Sequence, residues 1–213
     1  MSLLALDASG PQAGLALLDD TGACLGRWTT PLKPGLIETL PLLVQEAIGG
    51  QNITDLAVCI GPGSFTGLRT SIALAQGVAA GLSCMLWGIP VWAAYQEALP
   101  AAPHPLWVAI RARRGRLFLL RDGLAEAYAD EALPQPDTKI IVAGEEAALV
   151  ATLLREKGAD VVQSKFGLID PLWVGRAALS QKQAGQTSLP ALPLYVDPPE
   201  AKLPAAGLRP APL

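Results

Sequence analysis

The chain has 213 residues, of which 51% are hydrophobic and 16% charged, so it can bury a core and is too apolar for a disordered protein. Its formal net charge is −3, which excludes a global positive field that would attract nucleic acid. The three cysteines form no CxxC pair, so we expect reduced, buried thiols and a cytoplasmic protein.

The first hundred residues predict an alternation of strands and helices. Short apolar runs bounded by turn residues indicate strands, and apolar residues at helical spacing indicate helices. The expected strands lie at residues 3–8, 14–18, 24–30, 56–60 and 85–89. The expected helices lie at residues 36–48, 68–82 and 90–98. The order βββαβα is typical of a ribonuclease-H-like lobe, as found in actin and sugar kinases, and predicts an α/β fold.

The second half restarts this pattern after a proline-rich linker at residues 99–105. Its expected strands lie at 106–112, 117–120, 139–143 and 160–164, and its expected helices at 145–157 and 170–184. We therefore predict a two-lobed actin-like fold, with an N-terminal lobe at residues 1–100 and a reduced C-terminal lobe at 101–202. The proline- and alanine-rich residues 203–213 are expected to form a disordered tail.

One uncharged stretch, residues 70–96, is long enough to span a bilayer. Glycines, a glutamine and the turn at Gly88-Ile89-Pro90 interrupt it, so we interpret it as a buried helix followed by a turn. No basic segment follows Met1, so no signal peptide is expected. These features predict a cytoplasmic protein without a membrane partner.

A glycine-rich turn with the sequence Gly-Pro-Gly-Ser-Phe-Thr-Gly-Leu-Arg occupies residues 61–69, between a strand and a helix. Backbone N–H groups at such a turn can face a phosphate or a closely approaching backbone. The spacing matches neither a Walker loop, which needs a lysine, nor a dinucleotide fingerprint. The alternative to phosphate binding is a tight turn that begins a packed helix, capped by Ser64 or Thr66.

The sequence of this turn closely resembles the signature of the TsaB (YeaZ) family. Two further matches support the resemblance: residues 3–9, Leu-Leu-Ala-Leu-Asp-Ala-Ser, and residues 112–115, Ala-Arg-Arg-Gly. The three matches occur in the family's order and involve both halves of the chain.

The resemblance implies a non-catalytic subunit of the bacterial system that adds threonylcarbamoyl to adenosine 37 of ANN-decoding tRNAs. It implies a TsaD-like paralogue as the direct partner and a TsaE-like ATPase in the larger complex. It also implies a homodimer when the chain is alone, and only indirect contact with tRNA. No cofactor of the chain's own is implied; ATP or ADP with Mg²⁺ is confined to the subunit junction.

The helix expected at 68–82 carries a face made only of small residues, at Ala73, Gly77 and Gly81. Glycine lowers helix stability, but it lets another helix backbone approach closely. The approaching helix is either the chain's own first helix or, as the resemblance implies, a partner chain. The partner interface so implied comprises Leu36, Leu40, Leu43, Ser64, Phe65, Thr66, Arg69, Thr70, Ala73, Gly77 and Gly81.

Asp7 ends the first strand, where ATP-using proteins of the actin-like superfamily place an aspartate near the metal and phosphates. Here Pro11 removes a backbone donor from the following turn, so we favour a carboxylate that caps this turn. We therefore expect only a vestigial nucleotide site, comprising Asp7, Ser9, Gly61 and Gly63.

The sequence offers no metal-binding or catalytic histidine motif. The single histidine, His104, lies between two prolines, so neither a histidine metal pair nor a Ser-His-Asp assembly is expected. Four arginines cluster on an expected hairpin, where they either meet RNA phosphate or form a solvated turn. The acidic chain favours the solvated turn. These arginines are Arg111, Arg113, Arg114 and Arg116.

Two other functions stay open at this point. An autonomous enzyme, either a nucleotide-using phosphotransferase or a peptidase-like homologue, has its only support in Asp7 and the glycine-rich turn. A self-contained homodimeric binding module predicts the same small-residue helix face as the TsaB interpretation. Titration with ATP and Mg²⁺ distinguishes the first alternative, and addition of a TsaD-like protein distinguishes the second.

Overall fold

The computed structural model describes residues 2–31, 36–112 and 115–196, which form two five-stranded sheets with helices on their faces. The predicted tail at 203–213 lies outside the described residues. None of the described helices is long and apolar enough to cross a membrane.

The N-terminal sheet has the strand order β3-β2-β1-β4-β5. Strands β1, β4 and β5 are parallel, while β2 and β3 form antiparallel hairpins on one side. The strands are β1 Ser2–Asp7, β2 Gln12–Asp19, β3 Cys24–Pro31, β4 Ile53–Gly61 and β5 Met85–Pro90. The helices of this half are α1 Leu36–Ile48, α2 Phe65–Leu82 and α3 Val91–Ala98. The first six elements thus have the predicted order βββαβα, and the strand and helix predicted after them are present as β5 and α3.

The C-terminal sheet repeats this topology with the order β8-β7-β6-β9-β10. Its strands are β6 Leu106–Arg111, β7 Arg116–Arg121, β8 Leu124–Ala129, β9 Ile140–Ala143 and β10 Val161–Gln163. Its helices are α4 Ala147–Glu156 and α5 Pro171–Gln183. A single 3₁₀ turn, Asp130–Ala132, occupies the position that α1 has in the first half. The second half is thus a reduced copy of the first, and the reduction is the loss of one helix.

Successive side chains of the central strands face opposite sides of each sheet, and together with the helices they form three apolar layers. On β4, Leu56 and Val58 face α1 and α2, whereas Ala57 and Cys59 face the space between the two sheets. Helices α3 and α5 fill that space, and α4 covers the outer face of the C-terminal sheet. Consequently α1 and α2 lie on one outer side of the molecule, with their second faces directed away from the sheet.

Helix α5 comes from the end of the chain but packs on the N-terminal sheet. A Cβ at Gly175 would meet the Leu18 side chain at 2.5 Å, so the glycine lets the helix lie close to β2 without displacing that side chain. At its C-terminal end, Lys182 donates to the buried Asp55 carboxylate at 2.6 Å, which Trp87 and Thr54 also bind. Burial raises the pKa of Asp55, but these three donors outweigh it and hold the pKa below its ordinary value. The residue limits of the two predicted lobes stay a prediction.

Two local predictions need correction. Helix α2 begins at Phe65 rather than at residue 68, because Ser64 Oγ accepts a hydrogen bond from the Gly67 N–H and caps the helix there. Strand β8 was not predicted, since its sequence Leu-Ala-Glu-Ala-Tyr-Ala is poor in β-branched residues. The turn Asp122-Gly123, with both residues at positive φ, was the available signal for this hairpin.

Candidate functional site

The glycine-rich turn packs against the loop that follows β1. The Ser64 N–H donates to the Ser9 carbonyl at 2.7 Å, and a Cβ at Gly63 would overlap that same carbonyl. A Cβ at Gly67 would overlap the carbonyl oxygen of Ala8. The chain's own backbone therefore lies against this turn at Gly63 and Gly67, and this is the close packing expected of a tight turn that begins a packed helix.

An open cleft lies between the two halves of the molecule. Of the predicted vestigial nucleotide site, Asp7 and Ser9 line this cleft, whereas Gly61 and Gly63 do not. The remaining lining side chains belong to Pro11, Gln12, Val91, Tyr95, Ile110, Glu145, Leu168 and Ile169. Among the described residues this lining contains two carboxylates and no lysine or arginine, which is unfavourable for a polyphosphate.

Asp7 is buried at the inner end of the cleft, with only 3% of its surface exposed. Its Oδ1 accepts the Ser9 N–H at 3.0 Å, so the carboxylate caps the turn. Burial raises the pKa of Asp7, and the hydrogen bonds from Ser9 offset this only in part.

Asp7→Asn is expected to raise stability at neutral pH by about 1 kcal/mol, because the amide keeps the turn hydrogen bond without burying a charge. A carboxyl whose pKa is raised by folding stabilises the native state most below its unfolded pKa, and this contribution is lost as pH rises. The gain from Asn should therefore shrink as pH falls towards about 4. Urea unfolding at several pH values measures this, and a gain independent of pH would contradict it.

The predicted partner face on α2 is open. Phe65, Thr66, Arg69, Ala73, Gly77 and Gly81 are exposed, and Ser64 and Thr70 are half-buried. A Cβ placed on Gly77 or on Gly81 meets nothing within 4 Å. The alternative that Gly77 and Gly81 pack against α1 is therefore wrong.

The three predicted positions on α1 behave differently. Leu40 is completely buried beneath the helix, so its prediction as a partner contact is wrong. Leu43 is half-buried, and the side chain of Leu36 lies outside the described residues. The residue that α1 does expose is Leu42, with 64% of its surface accessible. Leu40 and Val44 are four residues apart, so they lie on the same face of α1, the face that packs on the sheet. This helical spacing was the signal in the sequence that could have distinguished the buried leucines of α1 from the exposed ones.

Arg69 is held in place by aromatic contacts. Its guanidinium lies 3.9 Å from the centre of the Phe65 ring, and its Nε–H donates to the Tyr195 hydroxyl at 3.0 Å. The two rings also contact each other, with centres 6.1 Å apart. Within the part of the chain that the structure describes, no carboxylate pairs with Arg69.

Sequence reasoning missed the segment that supplies Tyr195. Residues 188–195, here called the C-terminal strap, run from the edge strand β5 to the first turn of α2. The Gly88 N–H donates to the Leu189 carbonyl at 3.2 Å, and the Leu194 N–H donates to Ile60 at 2.8 Å. Gln76, on the exposed side of α2, donates to the Ala191 carbonyl at 2.8 Å. The sequence of the strap has neither helix nor strand periodicity. Only the apolar residues at its end indicated that this segment packs against the rest of the chain.

The arginine cluster is only partly described. Arg111 forms a two-pronged ion pair with Glu146, at 2.8 and 2.5 Å, next to the start of α4. Its charge is therefore matched within the chain. Arg113 and Arg114 lie outside the described residues, and the role of the cluster stays a prediction. No group of His, Cys, Asp or Glu within the described ranges could hold a metal ion.

A protein-family model described as TsaD, tRNA N6-adenosine threonylcarbamoyltransferase, matches residues 37–165, which is more than half of the chain. The chain belongs to the TsaD family. No curated protein sequence matches this TsaD-family chain significantly.

Solved structures show the fold of this TsaD-family chain. YeaZ from Pseudomonas aeruginosa is 22% identical, with a TM-score of 0.68 over 92% of this chain and 100% of that one. A second Pseudomonas aeruginosa protein, described as similar to peptidase YEAZ, is 22% identical, with a TM-score of 0.70 over 92% and 99%. A ROK-family protein from Streptococcus pneumoniae TIGR4, in complex with sucrose, is 7% identical, with a TM-score of 0.54 over 87% and 100%. The predicted actin-like α/β fold and the resemblance to TsaB (YeaZ) are thus confirmed.

Proposed function

We propose that this TsaD-family chain is a TsaB-type subunit that does not itself catalyse the reaction. It binds a TsaD paralogue and thereby serves the addition of threonylcarbamoyl to adenosine 37 of ANN-decoding tRNAs. The observation that carries the proposal is the open small-residue face of α2, where Gly77 and Gly81 leave space for a second helix. Glycine in an exposed helix interior, as at Gly77, costs a monomer about 1 kcal/mol, which supports a role for the open face.

The residues that could do chemistry support a non-catalytic role. The Asp7 carboxylate is buried and occupied with the Ser9 N–H, and the glycine-rich turn uses its Ser64 N–H internally. Cys59, the thiol nearest to them, is completely buried, and burial raises its pKa well above the ordinary value. A thiol that stays protonated is a poor nucleophile, which weighs against a peptidase-like homologue.

The TsaD family membership supports the choice of partner, because a protein and its paralogue have the same helices available for a pseudo-symmetric contact. In this arrangement α1 and α2 face the corresponding helices of the paralogue. Without the paralogue, the chain forms a homodimer through the same face. When the paralogue is added, the heterodimer replaces the homodimer. We place any ATP or ADP with Mg²⁺ at the subunit junction, and a TsaE-like ATPase and tRNA contact the assembly rather than this chain alone. We further propose that the chain works in the cytoplasm.

Size-exclusion chromatography with light scattering tests this, using the chain alone and mixed with the TsaD paralogue from the same organism. A heteromeric species is expected, and addition of the chain should restore tRNA modification by the paralogue in a reconstituted mixture. If neither the complex nor the restored modification is seen, the proposal is wrong.

A second candidate, an autonomous nucleotide-using enzyme, is favoured only by the cleft that Asp7 lines. Isothermal titration with ATP and Mg²⁺ distinguishes it. The scaffold proposal expects no binding by the isolated chain, whereas binding that Asp7→Asn removes would establish the second candidate instead.

A further inference from the structure

The C-terminal strap covers one edge of the N-terminal sheet. Strand β5 is the last strand in the order β3-β2-β1-β4-β5, so it pairs with another strand of the sheet on one side only. On its other side, the Gly88 N–H donates to the Leu189 carbonyl at 3.2 Å in an antiparallel bridge. The Ser188 hydroxyl donates to the Leu86 carbonyl at 2.7 Å. The strap therefore binds backbone groups with which a further strand would pair.

Two small residues let the strap lie close to β5 and α2. A Cβ at Gly88 would lie 2.7 Å from the Pro190 carbonyl oxygen and 2.8 Å from that of Leu189, so a side chain there would displace the strap backbone. Ala191 is only 8% exposed and belongs to the core cluster beneath α1 and α2. Its carbonyl accepts the Gln76 side-chain amide at 2.8 Å. A buried side chain thus holds the strap in addition to the hydrogen bonds.

The edge strand beneath the strap has no charged residue. Strand β5 has the sequence Met-Leu-Trp-Gly-Ile-Pro, and Met85 is 58% exposed. An uncharged edge strand is a template for pairing with another chain, and natural proteins oppose this with charged side chains, with proline or with a covering segment. Pro90 acts only at the end of β5. The protection of the preceding residues therefore falls to the strap.

The strap is itself unsuited to pair with a further strand. Pro190 and Pro193 have no N–H group. The Leu192 N–H donates within the strap to the Pro190 carbonyl at 2.8 Å, and the Leu194 N–H donates to the Ile60 carbonyl at 2.8 Å. From residue 190 to residue 194, at most the Ala191 N–H is left to bind a strand on the far side. The docked strap therefore ends the sheet.

We infer that the C-terminal strap protects β5 from self-association, and that β5 pairs with β5 of a second copy of the chain when the strap is displaced. Each copy presents the same uncharged edge, and two identical strands related by a two-fold axis form an antiparallel ladder. This contact is separate from the small-residue face of α2. It goes beyond the proposed function, since it involves no paralogue.

Ala191→Arg tests the inference in the full-length chain. Arginine does not fit the buried position of Ala191, so the strap should detach while the sequence of β5 stays unchanged. We expect the amides of Gly88 and Leu194 to exchange with solvent about tenfold faster than in the wild type, as measured by NMR. In light scattering at equal protein concentration, the mean mass should rise to about twice the wild-type value.

The neighbouring residue provides a matched control. Leu192→Arg adds the same side chain to the strap where 62% of the residue surface is exposed, so it should leave amide exchange and mass unchanged. Adding Met85→Lys to Ala191→Arg should restore the wild-type mass but not the amide exchange, because a lysine on an edge strand opposes pairing with a second strand. Gly88→Val displaces the strap from the β5 side of the contact and should raise the mass as Ala191→Arg does.

Three results would overturn the inference. If Ala191→Arg and Gly88→Val release the Leu194 amide but leave the mass unchanged, the strap does not protect the edge. A higher mass that Met85→Lys fails to reverse would place the association on another surface. Unchanged amide exchange in both variants would show that these contacts do not hold the strap. None of these results bears on binding of the paralogue, so the proposed function is tested separately.

Discussion

Gly77→Leu is expected to weaken binding of the TsaD paralogue by about ten- to a hundredfold and, at the same time, to stabilise the isolated chain. Nothing lies within 4 Å of a Cβ at Gly77, so the leucine side chain meets only solvent in the monomer. Leucine is the better helix former by about 0.5–1 kcal/mol, which raises the free energy of unfolding. In a close helix contact the same side chain is over-packed, which costs about 1–3 kcal/mol.

Titration calorimetry and urea unfolding measure these two effects on one variant. Ala148→Leu is the control, because it adds the same side chain to an exposed position of α4, on the opposite side of the molecule. It should leave binding unchanged. Unaltered binding by Gly77→Leu would show that the open face of α2 is not where the paralogue docks.

Gly67→Ala is expected to destabilise the chain by about 3 kcal/mol and to lower Tm by about 6–12 °C. The added Cβ would overlap the carbonyl oxygen of Ala8, which is backbone and cannot rotate away. Either α2 or the loop after β1 must therefore move. Helix propensity works in the opposite direction, since alanine is better than glycine by about 1 kcal/mol.

The control for Gly67→Ala lies on the same helix. Gly81→Ala makes the identical chemical change where a Cβ meets open space, so it should be neutral or stabilising by up to about 1 kcal/mol. Differential scanning calorimetry of the two variants measures their Tm values, and thereby compares the effect of the steric overlap at Gly67 with the effect of helix propensity at Gly81. Equal Tm values would mean that the turn tolerates a side chain, and that the close approach of Ala8 is not what requires glycine.

Local sequence patterns predicted most elements of the fold. Strands such as β9, at Ile140–Ala143, and helices such as α4, at Ala147–Glu156, lie within a few residues of their expected positions. Their hydrophobic periodicity and turn residues act over a few neighbouring positions, so they can be read from the sequence. Strand β8 lacked that signal, and its turn at Asp122-Gly123 was overlooked.

The candidate site was predicted less completely. The exposed side of α2, including Phe65, Arg69 and Gly77, follows from its motif and spacing, whereas Leu40 was placed on the wrong side of α1. The contact between Arg69 and Tyr195 joins positions far apart in the chain. No periodicity encodes such a contact, because it depends on where the strap crosses the sheet edge.

The sequence by itself determined the family, the repeated ribonuclease-H-like order and the small-residue face at Ala73, Gly77 and Gly81, because each is a local pattern. Only the tertiary structure decided which glycines have other atoms where a Cβ would lie. A Cβ at Gly67 would meet the Ala8 backbone, whereas a Cβ at Gly77 would meet nothing within 4 Å. A glycine looks the same in sequence whether it admits the chain's own backbone or leaves room for another molecule. Which of the two holds depends on what the fold brings within a few ångströms of it.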